Sequence, residues 1–237
     1  MGDRPGGHDD KNLDNEPALA DDRGSIMTPT FCAPFLASLP ISRAAVSTLK
    51  NPFDVQTICA SDDLAARLDE LQLDLGEGPC WEALNTRAPV LVPDVQSTQN
   101  PAWPSLHNAI AASGIHGVFA FPLVVGTLEI GAVDLYVDTK HPFTVANVER
   151  ASALANVAAV LILDREMRRR PEYEGDPLGD GPYSRREVHQ ATGMVVSQTG
   201  VNSDDALLLI RARAFADGKP VREIAAQVIA RQLTFPS

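Results

Sequence analysis

The 237-residue chain predicts an α+β fold, an antiparallel-sheet domain followed by a separate all-α bundle of three helices. Three observations carry that expectation. Strand-like segments meet at two turn sequences, Asn51-Pro52-Phe53-Asp54 and Gly126-Thr127, and hairpin joins demand antiparallel pairing. Helical patterns interleave with these strands, which with antiparallel pairing argues for an α+β sandwich rather than a doubly wound parallel sheet. Beyond a Pro/Gly-rich break, residues 184–233 read as three short amphipathic helices in succession.

Residues 1–27 are Asp/Gly/Asn-rich, lack the apolar core of a signal peptide, and are expected to form a disordered arm. A domain over 28–170 follows. Pro34 to Leu39 ends a short helix stopped by Pro40, and Ala44–Leu49 and Val55–Ala60 form the first hairpin. Ser61 or Asp62 caps a helix to about Leu71, with Leu64, Leu68 and Leu71 inward. Gly76-Glu77-Gly78 interrupts it, and Pro79 opens a short helix leading to the extended segment Val90-Leu91-Val92. Asn100 to Trp103 leads into another helix, ending near Gly114. Val118–Val125 and Leu128–Val137 are the strongest strands. In the second, the apolar character changes face along its length, which leaves its register open. Thr144 to about Arg170 is a long helix with Val148, Ala151, Leu154, Ala155, Ala158 and Leu161 on one stripe.

Residues 171–183 are acidic, rich in Pro and Gly, and read as a flexible linker. The second domain, 184–237, starts at Ser184-Arg185-Arg186-Glu187, which has capping-box spacing. Its first helix carries Val188, Ala191 and Val195. The second starts at Ser203, carries Ala206, Leu209, Ile210 and Ala214, and stops at Gly218. The third starts at Pro220 and repeats apolar residues at Val221, Ile224, Ala225, Val228 and Ile229. Each is too short to persist alone, so the three must pack together.

Composition is that of a globular protein, 44% hydrophobic and 22% charged, with no apolar run near the roughly 18 residues of a membrane span. The net charge of −11 is uneven. Residues 184–237 hold 7 Lys+Arg against 5 Asp+Glu, and the preceding residues hold 13 against 26. Any polyanion therefore belongs to the C-terminal bundle. Cys32, Cys59 and Cys80 are odd in number and widely spaced, and are read as reduced, buried thiols of a cytoplasmic protein. No His/Cys spacing fits a metal and no cofactor is implied. Gly76, Gly78 and Pro79 lack the following Gly-Lys-Ser/Thr of a phosphate loop and read as a tight turn.

The cationic and hydrogen-bonding residues of the bundle are Arg185, Arg186, His189, Gln190, Arg211, Arg213, Lys219 and Arg222. Arg186, His189, Gln190 and Gly193 fall on one face of the first helix. Arginine pairs with phosphate through a planar fork and stacks on unpaired bases, the usual targets of sequence-specific RNA readout. Charge alone favours a solvated helix face. Phe215 is the main aromatic available to stack, with burial in the bundle as its alternative. Cys80, beside Trp81 and just inside a helix start, is in a setting that lowers a thiol pKa, although buried packing is the favoured role.

Residues 28–166 resemble the GAF sensor domains of actinobacterial regulators, through Leu71-Gln72-Leu73-Asp74-Leu75-Gly76-Glu77-Gly78-Pro79-Cys80, Val92-Pro93-Asp94 and Val118-Phe119-Ala120-Phe121-Pro122-Leu123. Residues 184–233 resemble an ANTAR domain, through Gln190-Ala191-Thr192-Gly193-Met194, Ala206-Leu207-Leu208-Leu209-Ile210-Arg211 with Ala214, and Val221-Arg222-Glu223-Ile224-Ala225. Thr192 stands where that family often carries Lys, and Leu207 where it often carries Phe.

The resemblance implies a cytoplasmic, signal-responsive transcription antitermination regulator and not an enzyme. Its implied partners are structured hairpin RNA, a small-molecule ligand of the sensor and a second copy of the chain paired through the long helix, with no membrane. The implied RNA-binding residues are Arg185, Arg186, His189, Gln190, Gly193, Arg211, Arg213 and Arg222; Cys80, Asp94, Trp103 and Phe121 are the candidate ligand-cavity residues. Some small enzymes of the sensor fold reduce free methionine sulfoxide with cysteines, but the close cysteine spacing is absent here. The alternative is a sensor or scaffold whose bundle binds DNA or a protein, since three short helices also suit a helix-turn-helix.

Overall fold

The computed structural model describes residues 31–97, 101–140, 142–168 and 185–235. The expected arm, the linker and the capping residue Ser184 lie outside the described residues. The elements run α1 (Ala33–Ser38), β1 (Arg43–Thr48), β2 (Gln56–Ala60), α2 (Asp63–Leu75), α3 (Pro79–Thr86), β3 (Val90–Val92), α4 (Pro104–Ala112), β4 (Gly117–Val125), β5 (Leu128–Val137), α5 (Val145–Arg168), α6 (Arg186–Thr199), α7 (Ser203–Asp217) and α8 (Val221–Ile229).

The five strands form one sheet in the order β2-β1-β5-β4-β3, with every neighbouring pair antiparallel. On one face α1 and α5 pack over Val46, Phe119, Phe121, Leu135 and Val137. On the other, α2 and α4 cover Ala45, Val118 and Tyr136, and α3 brings Cys80 and Leu84 against Ala132. The change of face within β5 has a definite cause. Leu123 pairs with Gly131 but Val124 pairs with Glu129, so Ile130 is the extra residue of a β-bulge. Ile130 consequently joins Val133, Leu135 and Val137 under α5, while Ala132, Asp134 and Tyr136 face the other helices. Gly131 lies against β1 so closely that a Cβ there would stand 1.8 Å from the Ser47 carbonyl oxygen.

Local chemistry sets the helix ends. Asp62 caps α2 by accepting from the Ala65 N–H, and Gly76 ends it in the left-handed conformation (φ 67°). The expected cap at Ser203 is held instead by Asn202, which accepts from the Asp205 N–H. Helix α5 departs from the expectation that nothing here approaches a membrane span, since by length and composition it is apolar enough to cross one. Its buried face, Ala151, Ala155, Ala158, Ala159 and Ile162, packs on the sheet. Val157, Val160 and Leu161 stay exposed on its outer side.

The thiols also differ from the expected reduced set. Cys32 and Cys59 form a disulfide, Cα–Cα 6.1 Å, tying the start of α1 to β2, and Cys80 alone is free. The sequence separation of 27 residues carried no pairing signal; the sheet topology brings the two together.

The bundle has its own core. Val188, Ala191 and Val195 of α6 meet Ala206, Ile210 and Ala214 of α7 and Val221, Ile224, Ala225 and Val228 of α8. Phe215 is not in this core; at 73% exposure it stands outside α7.

Candidate nucleic-acid interface

Helix α6 divides the candidate residues into two sets. Arg186, His189, Gln190 and Gly193, at positions i, i+3, i+4 and i+7, are all exposed. Gly193 sits inside a helix, where glycine costs about 1 kcal/mol relative to alanine. A Cβ at this position would meet nothing within 4 Å, so packing within the chain does not require glycine there.

Arg185, Arg211 and Arg222 instead face the N-terminal domain. Arg185 is 3% exposed, and its Nη2 donates to Asp74 Oδ1 at 2.7 Å. Asp74, one residue from the end of α2, also accepts from the Val221 N–H at 3.1 Å with Oδ2. One carboxylate thereby holds both the arginine before α6 and the first amide of α8, where the helix dipole favours a negative charge. Arg211 Nη2 donates to the Leu73 carbonyl at 2.6 Å, and its guanidinium lies 6.0 Å from the Trp81 ring centroid. Burial, followed by the positive charge of Arg185, pulls the Arg211 pKa down. Arg222 pairs with Glu70 of α2 and with Glu187 of α6. Arg213 and Lys219 make i,i+4 pairs within the bundle, with Asp217 and Glu223. The C-terminal part of α2 thus offers two carboxylates, Glu70 and Asp74, and the Leu73 carbonyl to three arginines of the bundle.

His189, exposed overall, also lines a cleft toward Asp54 of the β1–β2 hairpin, and partial desolvation of its ring there lowers its pKa; Asp54 opposes that shift and Arg185 adds to it. Thr192 donates to the Val188 carbonyl of its own helix.

The four candidate ligand-cavity residues do not converge. Trp103 packs with α2 and α4 on one face of the sheet, and its indole N–H donates to Glu82. Phe121 packs under α5 on the opposite face. Asp94 lies at the surface, bonded to Lys140, which holds its carboxyl below the usual range. Cys80 is buried against Leu73 and Leu84, and burial pushes its thiol up, opposite to the shift expected at a helix start. A reactive thiolate is disfavoured there.

A buried polar node between α2 and the sheet was not legible in the sequence. Asp69 accepts from Ser47 at 2.6 Å and from Thr57. Its pKa is raised to about 6, burial outweighing those bonds and the Arg185 charge. Gln72 donates to Asp134 and accepts from the Cys80 N–H, while its own carbonyl accepts from the Trp81 indole. Burial holds the Asp134 carboxyl well above its ordinary value, favouring its protonated form. The available signal was Asp69 and Gln72 placed beside the inward-facing Leu68 in an otherwise amphipathic helix.

Residues 35–163 match the family model described as GAF domain, and residues 183–229 the model described as ANTAR domain. No curated protein matches the chain. Solved structures similar to it include a domain of a two-component sensor histidine kinase protein from Sinorhizobium meliloti, 20% identical with a TM-score of 0.46 over 59% of this chain and 93% of that one. A GAF domain/HD domain protein from Geobacter sulfurreducens is 19% identical, with a TM-score of 0.47 over 59% and 92%. A free methionine-R-sulfoxide reductase from Thermoplasma acidophilum is 18% identical, with a TM-score of 0.43 over 56% and 87%.

Proposed function

We propose, from the premise that this chain belongs to the GAF domain family and carries an ANTAR domain, that it is a signal-responsive, cytoplasmic regulator of transcription antitermination. ANTAR domains bind RNA, and GAF domains bind small ligands. In this reading the bundle binds hairpin RNA, and the GAF domain controls how much of its cationic surface is available.

The observation that carries the reading is the division of the bundle's candidate residues. Arg186, His189, Gln190 and the sterically unexplained Gly193 form one exposed helix face, on which a helix without a Cβ admits close approach of a phosphate or base. Arg213 is exposed on α7, and Phe215, also exposed there, supplies a ring on which a base can stack. Arg185, Arg211 and Arg222 are the reserve, engaged by Asp74, the Leu73 carbonyl and Glu70 while the domains are docked. Undocking converts them from sensor contacts to phosphate contacts. A signal then shifts the equilibrium between docked and free bundles by its differential affinity for the two. Two chains paired through the exposed Val157, Val160 and Leu161 of α5 present two bundles to one RNA.

The test is Arg186→Ala. Hairpin-RNA affinity falls several-fold, as expected for losing one charge-assisted contact, while the thermal midpoint holds because the side chain is exposed. A large fall in midpoint with unchanged RNA affinity would assign Arg186 a structural role instead.

A further inference from the structure

The docked arrangement encloses a cleft of about 400 Å³ between the β1–β2 hairpin and Trp81 on one side and helices α6 and α7 on the other. Its volume lies within the range of small-molecule sites. The wall is mixed in a specific way. Leu49, Phe53, Val55, Trp81 and Leu207 supply apolar surface, and Lys50, Arg185 and Arg211 supply positive charge, with Asp54 and Asp204 opposing it.

The two arginines are incompletely used. Arg185 is 97% buried, yet only Nη2 is spent on Asp74; its Nη1 is buried and has no acceptor. Arg211 donates through Nη2 to the Leu73 carbonyl, while its Nε is likewise buried and unmatched. A buried donor without an acceptor costs about 1–3 kcal/mol, more when charged, and both arginines that carry one line this cleft, so a small shift of either guanidinium toward an acceptor held there relieves that cost. Asp54 and Asp204 line the same cleft without reaching these atoms.

We propose that this interdomain cleft binds a small organic anion, a carboxylate or phosphate group on an apolar or aromatic body. The anion accepts from Arg185 and Arg211, and the body lies against Trp81 and Phe53. Both arginines belong equally to the contact that holds the bundle on the sensor, so occupancy and docking are thermodynamically linked. That consequence rests on the docking reading above; the site itself does not.

Binding is read without RNA, by titrating the full chain with phenyl phosphate and benzoate and following tryptophan emission. Benzamide, inorganic phosphate and phenol serve as arms lacking the charge or the body. Trp81 lines the cleft and Trp103, the other tryptophan, is buried elsewhere, so Trp81→Phe assigns the signal. At least one aromatic anion is expected to saturate with an affinity tenfold or more above benzamide and inorganic phosphate. Arg211→Gln should weaken that binding at least tenfold, and Arg168→Gln, on the surface of α5, should leave it unchanged. Ser203→Phe, which fills the cleft from an exposed position and removes no charge, should also abolish it, separating loss of the site from loss of docking. No saturable binding of either anion, equal binding of benzamide, or anion binding that survives both Arg211→Gln and Ser203→Phe overturns the proposal.

Discussion

Asp74→Ala strikes the contact between sensor and bundle at its centre. The carboxylate takes Arg185 Nη2 at 2.7 Å and the Val221 N–H at 3.1 Å, and the paired side chains are 3% and 12% exposed. Removing one partner of a buried ion pair costs about 3–5 kcal/mol, because the other charge is left buried and unmatched. Undocking lets Arg185 and the Val221 amide reach water, so this cost falls on the docked state. Taking the lower end, docking weakens by about 3 kcal/mol, roughly two powers of ten in the docking equilibrium. If the docked state withholds three arginines from RNA, apparent affinity is reduced by the free fraction, and the variant recovers up to about 100-fold. The assay is fluorescence anisotropy with a labelled hairpin RNA at fixed salt, with circular dichroism to verify the fold. Equal or weaker affinity in a folded Asp74→Ala protein refutes the idea that docking opposes RNA binding.

Glu70→Gln perturbs the half-exposed pair with Arg222 and should raise RNA affinity less than about fivefold, in keeping with the 0–1 kcal/mol of surface pairs; the same anisotropy series measures it. Gly131→Ala forces a Cβ against the Ser47 carbonyl and should destabilise the domain by several kcal/mol in urea unfolding, as expected for overpacking against backbone. Opening the Cys32–Cys59 disulfide, by reductant or Cys32→Ser, releases a loop of 27 residues and should lower stability by about 3–4 kcal/mol on the chain-entropy model. Asp69 makes stability depend on pH. Its folded pKa of about 6 lies above the unfolded 3.8, so its contribution is full below the unfolded value and is lost as pH rises toward and through 6. The shift corresponds to about 3 kcal/mol. Asp69→Asn should flatten that part of the pH–stability curve, and an unchanged slope would assign it to another group.

Much of the fold was legible because its cues are local. Asp62, Gly76, Gly126 and Gly218 mark ends and turns that short-range chemistry imposes, and the apolar period of α8 names its buried face. What was not legible depends on long-range neighbours. The bulge at Ile130 requires two strands in register, and the disulfide requires α1 to be folded back beside β2. The Cys80 thiol shifts upward because the core closes over it, whatever its place at a helix start. The arginines were visible as cations, but nothing local distinguishes Arg186, which is exposed, from Arg185, which is buried beside it on Asp74. That difference comes from the meeting of Asp74 and Arg185, 111 residues apart in sequence and in different domains.

Recognition of structured RNA by the bundle is read by titrating the full chain with a hairpin RNA and with duplex DNA of equal charge across a salt series. Tighter binding to the hairpin is expected at every salt concentration, with a preference that persists as the phosphate contribution is screened away. Equal affinities that fall together with salt would contradict it, leaving only a weakly basic surface.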